Sequence, residues 1–315
     1  MVIGDYQRPA WLWNCHAETI FPAKFRIAPK LPYQRERIAT PDGDFLDLDW
    51  VRNSPHQLLI ISHGLEGNSH RPYVRGLAQA FSAKGWSVLA WNYRGCSGEL
   101  NWQPRFYHSG ATDDLAVVIA HAVQHGFGRI YLAGFSLGGN LTLKYLGEPR
   151  ERPSALQRAI VFSVPLHLHS SCLEIIQPRN WLYNLNFLIS LRRKLRSKAA
   201  QFPHIDLRPL RDISNLLQFD DVYTGPLHGF KNAVDYYEQS SALQFLPRIT
   251  IPTKIINAQN DPFLSPRCYP GAETIANQHV HTEFPRYGGH VGFAQFDAKG
   301  LYWSELKALE FFVHD

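Results

Sequence analysis

Ser136 lies in Gly134-Phe135-Ser136-Leu137-Gly138-Gly139, between a short apolar run and a segment of helical periodicity. A serine on a sharp strand-to-helix turn needs small neighbours, and such a turn pushes its hydroxyl clear of the sheet. The helix that follows points its positive end at the same spot. A hydroxyl is a weak nucleophile until a base takes its proton. On this kind of scaffold the acid and the base follow in the order Ser…Asp…His. Asp261, in Asn260-Asp261-Pro262, comes directly after the apolar run 253–258. It is therefore expected at the carboxyl end of a strand, where ligands and catalytic groups collect, although Asp-Pro is also a common loop starter. His290, one of 15 histidines, lies in Gly288-Gly289-His290-Val291-Gly292. Its glycines allow a tight loop that brings the imidazole back to Ser136.

Attack on a carbonyl leaves negative charge on its oxygen. Fixed N–H donors must already point there, and losing one costs about 100–1000-fold in rate. The Leu137 amide, next to the nucleophile, is one expected donor. The second should come from the loop after an earlier strand. There Ser62-His63-Gly64-Leu65-Glu66-Gly67 follows Leu58-Leu59-Ile60-Ile61. The Leu65 amide is expected to serve, with those of Gly64 and Glu66 as neighbouring alternatives. This chemistry is hydrolysis of carboxylic esters through an acyl-enzyme on Ser136, with no metal and no cofactor. An acyltransferase passing the same acyl group to an alcohol is a second reading. A binding protein on a hydrolase scaffold is a third, since a fold does not carry an activity by itself.

The elements that must position these residues are legible in the pattern. Five apolar runs without alternation (58–61, 88–91, 129–133, 159–162 and 253–256) read as strands buried on both faces, hence a parallel sheet. A further strand is expected over 280–284. Segments 113–124 and 137–146 carry helical spacing, and strand–helix alternation gives an α/β fold with helices on both faces of a mostly parallel sheet. Runs 35–40 and 44–51 flank Pro41-Asp42-Gly43 as a hairpin. Asp47-Leu48-Asp49-Trp50 alternates, which places that hairpin at a sheet edge with one face in water. The stretch 9–16 reads as an arm packed on the body.

From 165 to 249 no buried strand is evident, and so long a structureless loop is improbable in a compact domain. Leu182, Leu185, Leu188, Leu191 and Leu195 recur at helical spacing, and 230–245 is expected to be another helix. The chain thus divides into an arm and first core segment (1–164), an inserted helical cap (165–249) and a second core segment (250–315).

Composition narrows the class. Over 315 residues, 45% are apolar and 19% charged, which allows a full core and excludes disorder as the main state. The net charge of +5 is not the footprint of a dedicated nucleic-acid binder. No apolar run approaches the roughly 20 residues of a membrane span, and the start, from Met1 to Pro9, has no secretory pattern. Cys15, Cys96, Cys172 and Cys268 are widely spaced, which fits a reducing cytoplasm better than a disulfide scaffold. His121 and His125 stand four apart without the Glu of a His-Glu-x-x-His motif. His167/His169 and His279/His281 are single alternating pairs, so no metal is expected. The basic run Arg192, Arg193, Lys194, Arg196, Lys198 reads as a solvated helix face, with weak contact to an anionic membrane surface as the sharper alternative. Oligomeric state is not readable.

The motifs His63–Gly67, Asn92-Tyr93-Arg94-Gly95-Cys96-Ser97-Gly98, Tyr107-His108-Ser109-Gly110, the Ser136 turn and Gly288-Gly289-His290-Val291-Gly292-Phe293 resemble the YheT-like esterase branch of the α/β hydrolases. Asn14-Cys15-His16-Ala17-Glu18-Thr19 and Asp235-Tyr236-Tyr237 are similar to it as well. The likeness runs from about residue 9 to the C-terminal helix. It implies the α/β-hydrolase fold and a charge relay at Ser136, Asp261 and His290. The substrates it implies are short- to medium-chain acyl esters or lipid-like esters.

Overall fold

A computed structural model describes residues 5–313. The reading of the extreme N-terminus falls in part on residues 1–4, outside the described residues. Eight strands form one sheet: β1 (Gln34–Ala39), β2 (Phe45–Val51), β3 (Gln57–Ser62), β4 (Ser87–Asn92), β5 (Arg129–Phe135), β6 (Leu156–Phe162), β7 (Thr253–Ile256) and β8 (Val280–Glu283). Their spatial order is β1-β2-β4-β3-β5-β6-β7-β8. The β1–β2 and β2–β4 pairs are antiparallel, and every pair from β4 to β8 is parallel.

The unbroken apolar runs are explained by two cores, one on each face. Leu58, Ile60, Leu89, Trp91, Ile130 and Leu132 enter one. Leu59, Ile61, Val88, Ala90, Tyr131 and Ala133 enter the other. Alternate side chains point to opposite faces, so both must be apolar when both are covered. The first face is covered by α3 (Thr112–Gln124) and α4 (Leu137–Gly147). The second is covered by α2 (Pro72–Ser82) and the C-terminal helix Trp303–Val313. The expected α/β architecture is thus the observed one.

The hairpin lies at the sheet edge as expected, with β1 outermost, but its second strand departs from expectation. β2 is not half-wet: all seven of its residues are buried, and it lies between β1 and β4. Its aspartates are buried because β1 covers them with arginines. Arg37 Nε lies 2.7 Å from Asp47 and Arg35 Nε 2.8 Å from Asp49. Alternation of this kind reads as a solvated face only when the polar residues lack partners. The arm also differs, since its end enters a helix, α1 (Cys15–Phe25), whose cap Asn14 accepts the Ala17 N–H at 2.7 Å.

Between β6 and β7 the chain forms α5 (Leu168–Ile175), α6 (Trp181–Gln201), the helix Ala233–Ser240 and several single turns. The leucine stripe of α6 is only partly inward. Leu188 and Leu195 are buried, whereas Leu182 and Leu185 are 56% and 41% exposed. The helix expected over 230–245 breaks at Ser241, which is extended, and continues only as the 3-10 turn Ala242–Arg248, interrupted by Pro247. The basic run is corrected at two positions. Lys198 is fully buried and donates to the Asn101 and Gln103 carbonyls. Lys194 turns inward to Glu66 and Cys96. Of the five basic residues, Arg193 and Arg196 are exposed, and Arg192 donates to the Ile213 carbonyl. A helix docked along its length takes the aliphatic stems of lysines into the body when carbonyls or carboxylates wait there.

Candidate active site

Ser136 stands between β5 and α4 with φ +54° and ψ −119°. A non-glycine residue at such angles is strained. The turn is tight enough that a Cβ on Gly138 would lie 2.3 Å from the Ser62 carbonyl oxygen. Glycine at 138 is what lets the loop after β3 close over Ser136. The Ser136 amide is fixed by donating to the Phe162 carbonyl at 2.9 Å.

The structure brings the three predicted side chains together. His290 Nε2 lies 2.9 Å from Ser136 Oγ, and His290 Nδ1 lies 2.8 Å from Asp261 Oδ2. A carboxylate only accepts, so Nδ1 carries the proton and Nε2 is left as an acceptor for the serine hydroxyl. Asp261 has a fully buried side chain, and its other oxygen accepts the Phe263 N–H at 2.9 Å. The Phe263 ring packs 4.3 Å from the imidazole, centroid to centroid.

The loop that carries His290 is tied down from several directions. Gly289 takes φ +59°, a conformation costly for a side-chain-bearing residue. Its N–H donates to Asn260 Oδ1 at 3.0 Å. The His290 N–H donates to Thr19 Oγ1 at 2.9 Å, and the Val291 N–H to Ser163 Oγ at 2.8 Å. Asn260 Nδ2 in turn donates to Glu18 Oε2 at 2.5 Å, and Tyr6 donates to the other oxygen of Glu18 at 3.3 Å. Burial holds the Glu18 carboxyl above its ordinary range. Thr19, Ser163, Asn260 and Phe263 were not among the expected site residues. The one sequence signal for any of them was the arm motif containing Glu18 and Thr19.

The loop after β3 sorts the three candidate amides. The Gly64 N–H donates to Tyr73 Oη at 3.0 Å, and the Glu66 N–H to Tyr107 Oη at 2.7 Å. Among the described residues the Leu65 N–H has no protein acceptor. The Leu137 amide opens α4 and belongs to the first turn, whose N–H groups lack intrahelical partners. His63 stiffens the loop. Its Nδ1 donates to the Gly64 carbonyl at 2.8 Å and its Nε2 accepts the Tyr93 N–H at 3.2 Å. Burial pushes that imidazole down to about 3, so it is neutral.

Glu66 has φ +52°. Its carboxylate meets Lys194 Nζ at 2.6 Å, Tyr107 Oη at 2.8 Å and Ser190 Oγ at 2.7 Å. Burial alone would raise its pKa, but the Lys194 ammonium and the hydroxyls of Ser190 and Tyr107 together outweigh this and hold it below the ordinary range. This pair ties α6 to the loop that bears Leu65.

Two cavities meet at Ser136. One of about 110 Å³ runs under α5 and α6, walled by Leu168, Ile175, Leu191, Leu216 and Phe219. The other, about 350 Å³, opens past Ile20, Pro22, Leu182 and Tyr183. Leu65, Phe187 and Phe263 line both. Arg94-Gly95-Cys96-Ser97-Gly98 is a structural loop: Arg94 is buried between Asp42, Asp44 and Asp114. Away from these cavities, the one group of metal-ligand type among the described residues is Glu36, His121 and His125.

Eight mostly parallel strands, a serine at a strand-to-helix turn, and a histidine delivered by the loop after the last strand define the class. The chain belongs to the alpha/beta hydrolase fold family, whose model matches residues 57–294. Within it, the chain is 37% identical to the Escherichia coli (strain K12) protein named "Putative esterase YheT", over 89% of this chain and 84% of that one. It is also 28% identical to mouse (Mus musculus) phospholipase ABHD3, over 94% of this chain and 74% of the relative. Among solved structures, the Pyrococcus furiosus esterase Pf2001 superposes with a TM-score of 0.57 at 16% identity, over 91% of this chain and 96% of that chain. That likeness is one of fold. The resemblance to the YheT-like branch is thus borne out. Among the described residues no helix is long and apolar enough to cross a membrane.

Proposed function

We propose that this chain hydrolyses carboxylic esters through an acyl-enzyme on Ser136. The observation that carries the reading is the single imidazole that spans Ser136 Oγ at 2.9 Å and Asp261 Oδ2 at 2.8 Å. In this reading His290 Nε2 takes the hydroxyl proton as Oγ attacks the ester carbonyl. Asp261 holds the ring and balances its charge without itself gaining the proton. The amides of Leu65 and Leu137 receive the oxyanion. His290 then protonates the leaving alcohol, and water attacks the acyl-enzyme with His290 again as base. Residues 165–249 act as a cap over the site. The cavity under α5 and α6, walled mainly by apolar side chains, suits the acyl chain, and the larger one suits the alcohol portion. The esterase and phospholipase names of the relatives support an ester of lipid-like character.

The test is hydrolysis of p-nitrophenyl esters of graded acyl length, together with labelling by a fluorophosphonate probe. The expected result is turnover and labelling in the wild-type protein and neither in Ser136→Ala. Equal activity in Ser136→Ala would overturn the reading, and a folded wild-type protein that neither turns over nor labels would favour a binding role. The second cavity at Ser136 also favours a second reading, in which an alcohol seated there competes with water. Formation of ethyl esters in added ethanol distinguishes transfer from hydrolysis.

A further inference from the structure

We propose that Glu36, His121 and His125 form a binding site for one divalent cation of the zinc type, where edge strand β1 meets α3. The two histidines alone could not have made this case. They lie four apart, His121 in the last turn of α3 and His125 at its C-cap, and supply two ligands. The third comes from a strand far away in sequence, which only the folded chain brings to them.

The geometry suits a metal. His121 Nε2 lies 3.0 Å and His125 Nε2 3.9 Å from the same oxygen, Glu36 Oε1. All three ligand atoms lie within 4.8 Å of one another. Zinc takes nitrogen and carboxylate oxygen at about 2.0–2.2 Å in a tetrahedron, so adjacent ligand atoms stand roughly 3.3 Å apart. The three atoms reach that spacing by side-chain adjustments of an ångström or less.

His121 Nε2 faces the carboxylate at 3.0 Å as a donor and must shift its hydrogen to Nδ1 when a metal binds, whereas His125 already holds the suitable tautomer. His125 Nδ1 faces the His121 carbonyl oxygen at 2.9 Å. A carbonyl only accepts, so Nδ1 carries the hydrogen, and in the neutral ring Nε2 is a bare lone pair. That atom stands 3.9 Å from Glu36 Oε1, beyond hydrogen-bonding range, and can turn to a metal without breaking a bond. The groups behind the ligands have the form found around bound metals. A backbone carbonyl fixes the tautomer of His125, and Arg52 Nη2 donates to the other oxygen of Glu36 at 2.9 Å. Arg52 also brings a like charge, which weakens the site without closing it. The site is partly exposed, with side-chain exposures of 18% for His121, 37% for His125 and 30% for Glu36. A fourth position is therefore open to water. Imidazole and carboxylate favour zinc, nickel or copper over magnesium.

The role that follows is a staple. β1 pairs in the sheet with β2 alone, and an ion held by Glu36, His121 and the C-cap residue His125 would fasten it to the end of α3.

Isothermal titration of the metal-free chain with zinc chloride is the test, with magnesium chloride as comparator. The expected result is one zinc per chain with a Kd tighter than about 10 µM, no magnesium binding, and a rise in Tm with zinc by mass action. His125→Asn and Glu36→Gln are each expected to weaken zinc binding at least tenfold and to lose the Tm rise. Absence of saturable zinc binding in the wild-type protein overturns the proposal whether or not the variants fold. So does zinc binding that both variants retain unchanged.

Discussion

At Ser136 and its partners, the hydrogen-bond geometry fixes the tautomer of His290. Because Asp261 sets the tautomer of His290 through Nδ1, Asp261→Asn can present an N–H to that nitrogen and reverse it. The expected outcome is a loss in kcat of about 10³–10⁴-fold with the fold intact, measured on a p-nitrophenyl ester. Asp220 makes a different point. It is half-buried in the wall of the smaller cavity and accepts from Tyr237 Oη at 2.6 Å. Burial lifts its pKa to about 6 from 3.8. A carboxyl raised in the folded state favours folding most below its unfolded pKa, and that advantage is lost as pH rises through the folded value. Asp220→Asn has no such titration. Its stability relative to the parent should therefore improve by about 2–3 kcal/mol between pH 4 and pH 7, as measured by urea unfolding. A gap that stays flat across this range would show that the Asp220 carboxyl is not shielded from water in this way.

At the scale of elements, α6 and the β3 loop are joined by one buried ion pair, Lys194 with Glu66. Breaking such a pair from one side leaves a buried charge and costs about 3–5 kcal/mol. Lys194→Met should therefore destabilise by roughly that amount in urea unfolding, and the double variant Lys194→Met/Glu66→Gln should recover much of the loss. If the pair also steadies the Leu65 amide, the single variant loses kcat more than it raises KM. The same contact shows why part of the molecule was illegible in sequence. A run of arginines and lysines on a helix reads as a wet face. What it meets, Glu66 or the carbonyls of Asn101 and Gln103, lies about a hundred positions earlier. The burial of Asp47 and Asp49 was hidden in the same way, by arginines of the neighbouring strand. The apolar runs of β3 to β6 were legible because burial on both faces leaves its mark within the run itself.

Across the whole molecule, the candidate site divides along the same line. Ser136, Asp261 and His290 announce themselves through local context: a glycine turn, a strand exit, a glycine loop. Thr19, Ser163 and Asn260 do not, because what they do is hold a loop that belongs to another part of the chain. Glu36 is the extreme case, since nothing near it suggests two imidazoles. All four cysteines are free thiols, and Cys96, Cys172 and Cys268 are buried. Tm should therefore be the same within about 1 °C with and without a reducing agent, since no cross-link constrains the unfolded chain. A drop on reduction, in differential scanning calorimetry, would contradict this arrangement.

The grip of Thr19 and Glu18 on the loop around His290 and Asn260 joins the first helix to nearly the last loop. A ribosome releases the helix early and the loop almost at the end. Ser136 is therefore in place long before His290 can be seated beside it. Under the proposed mechanism an emerging polypeptide stays chemically silent toward esters around it, and gains its reactivity only when the first helix and the His290 loop are stitched together.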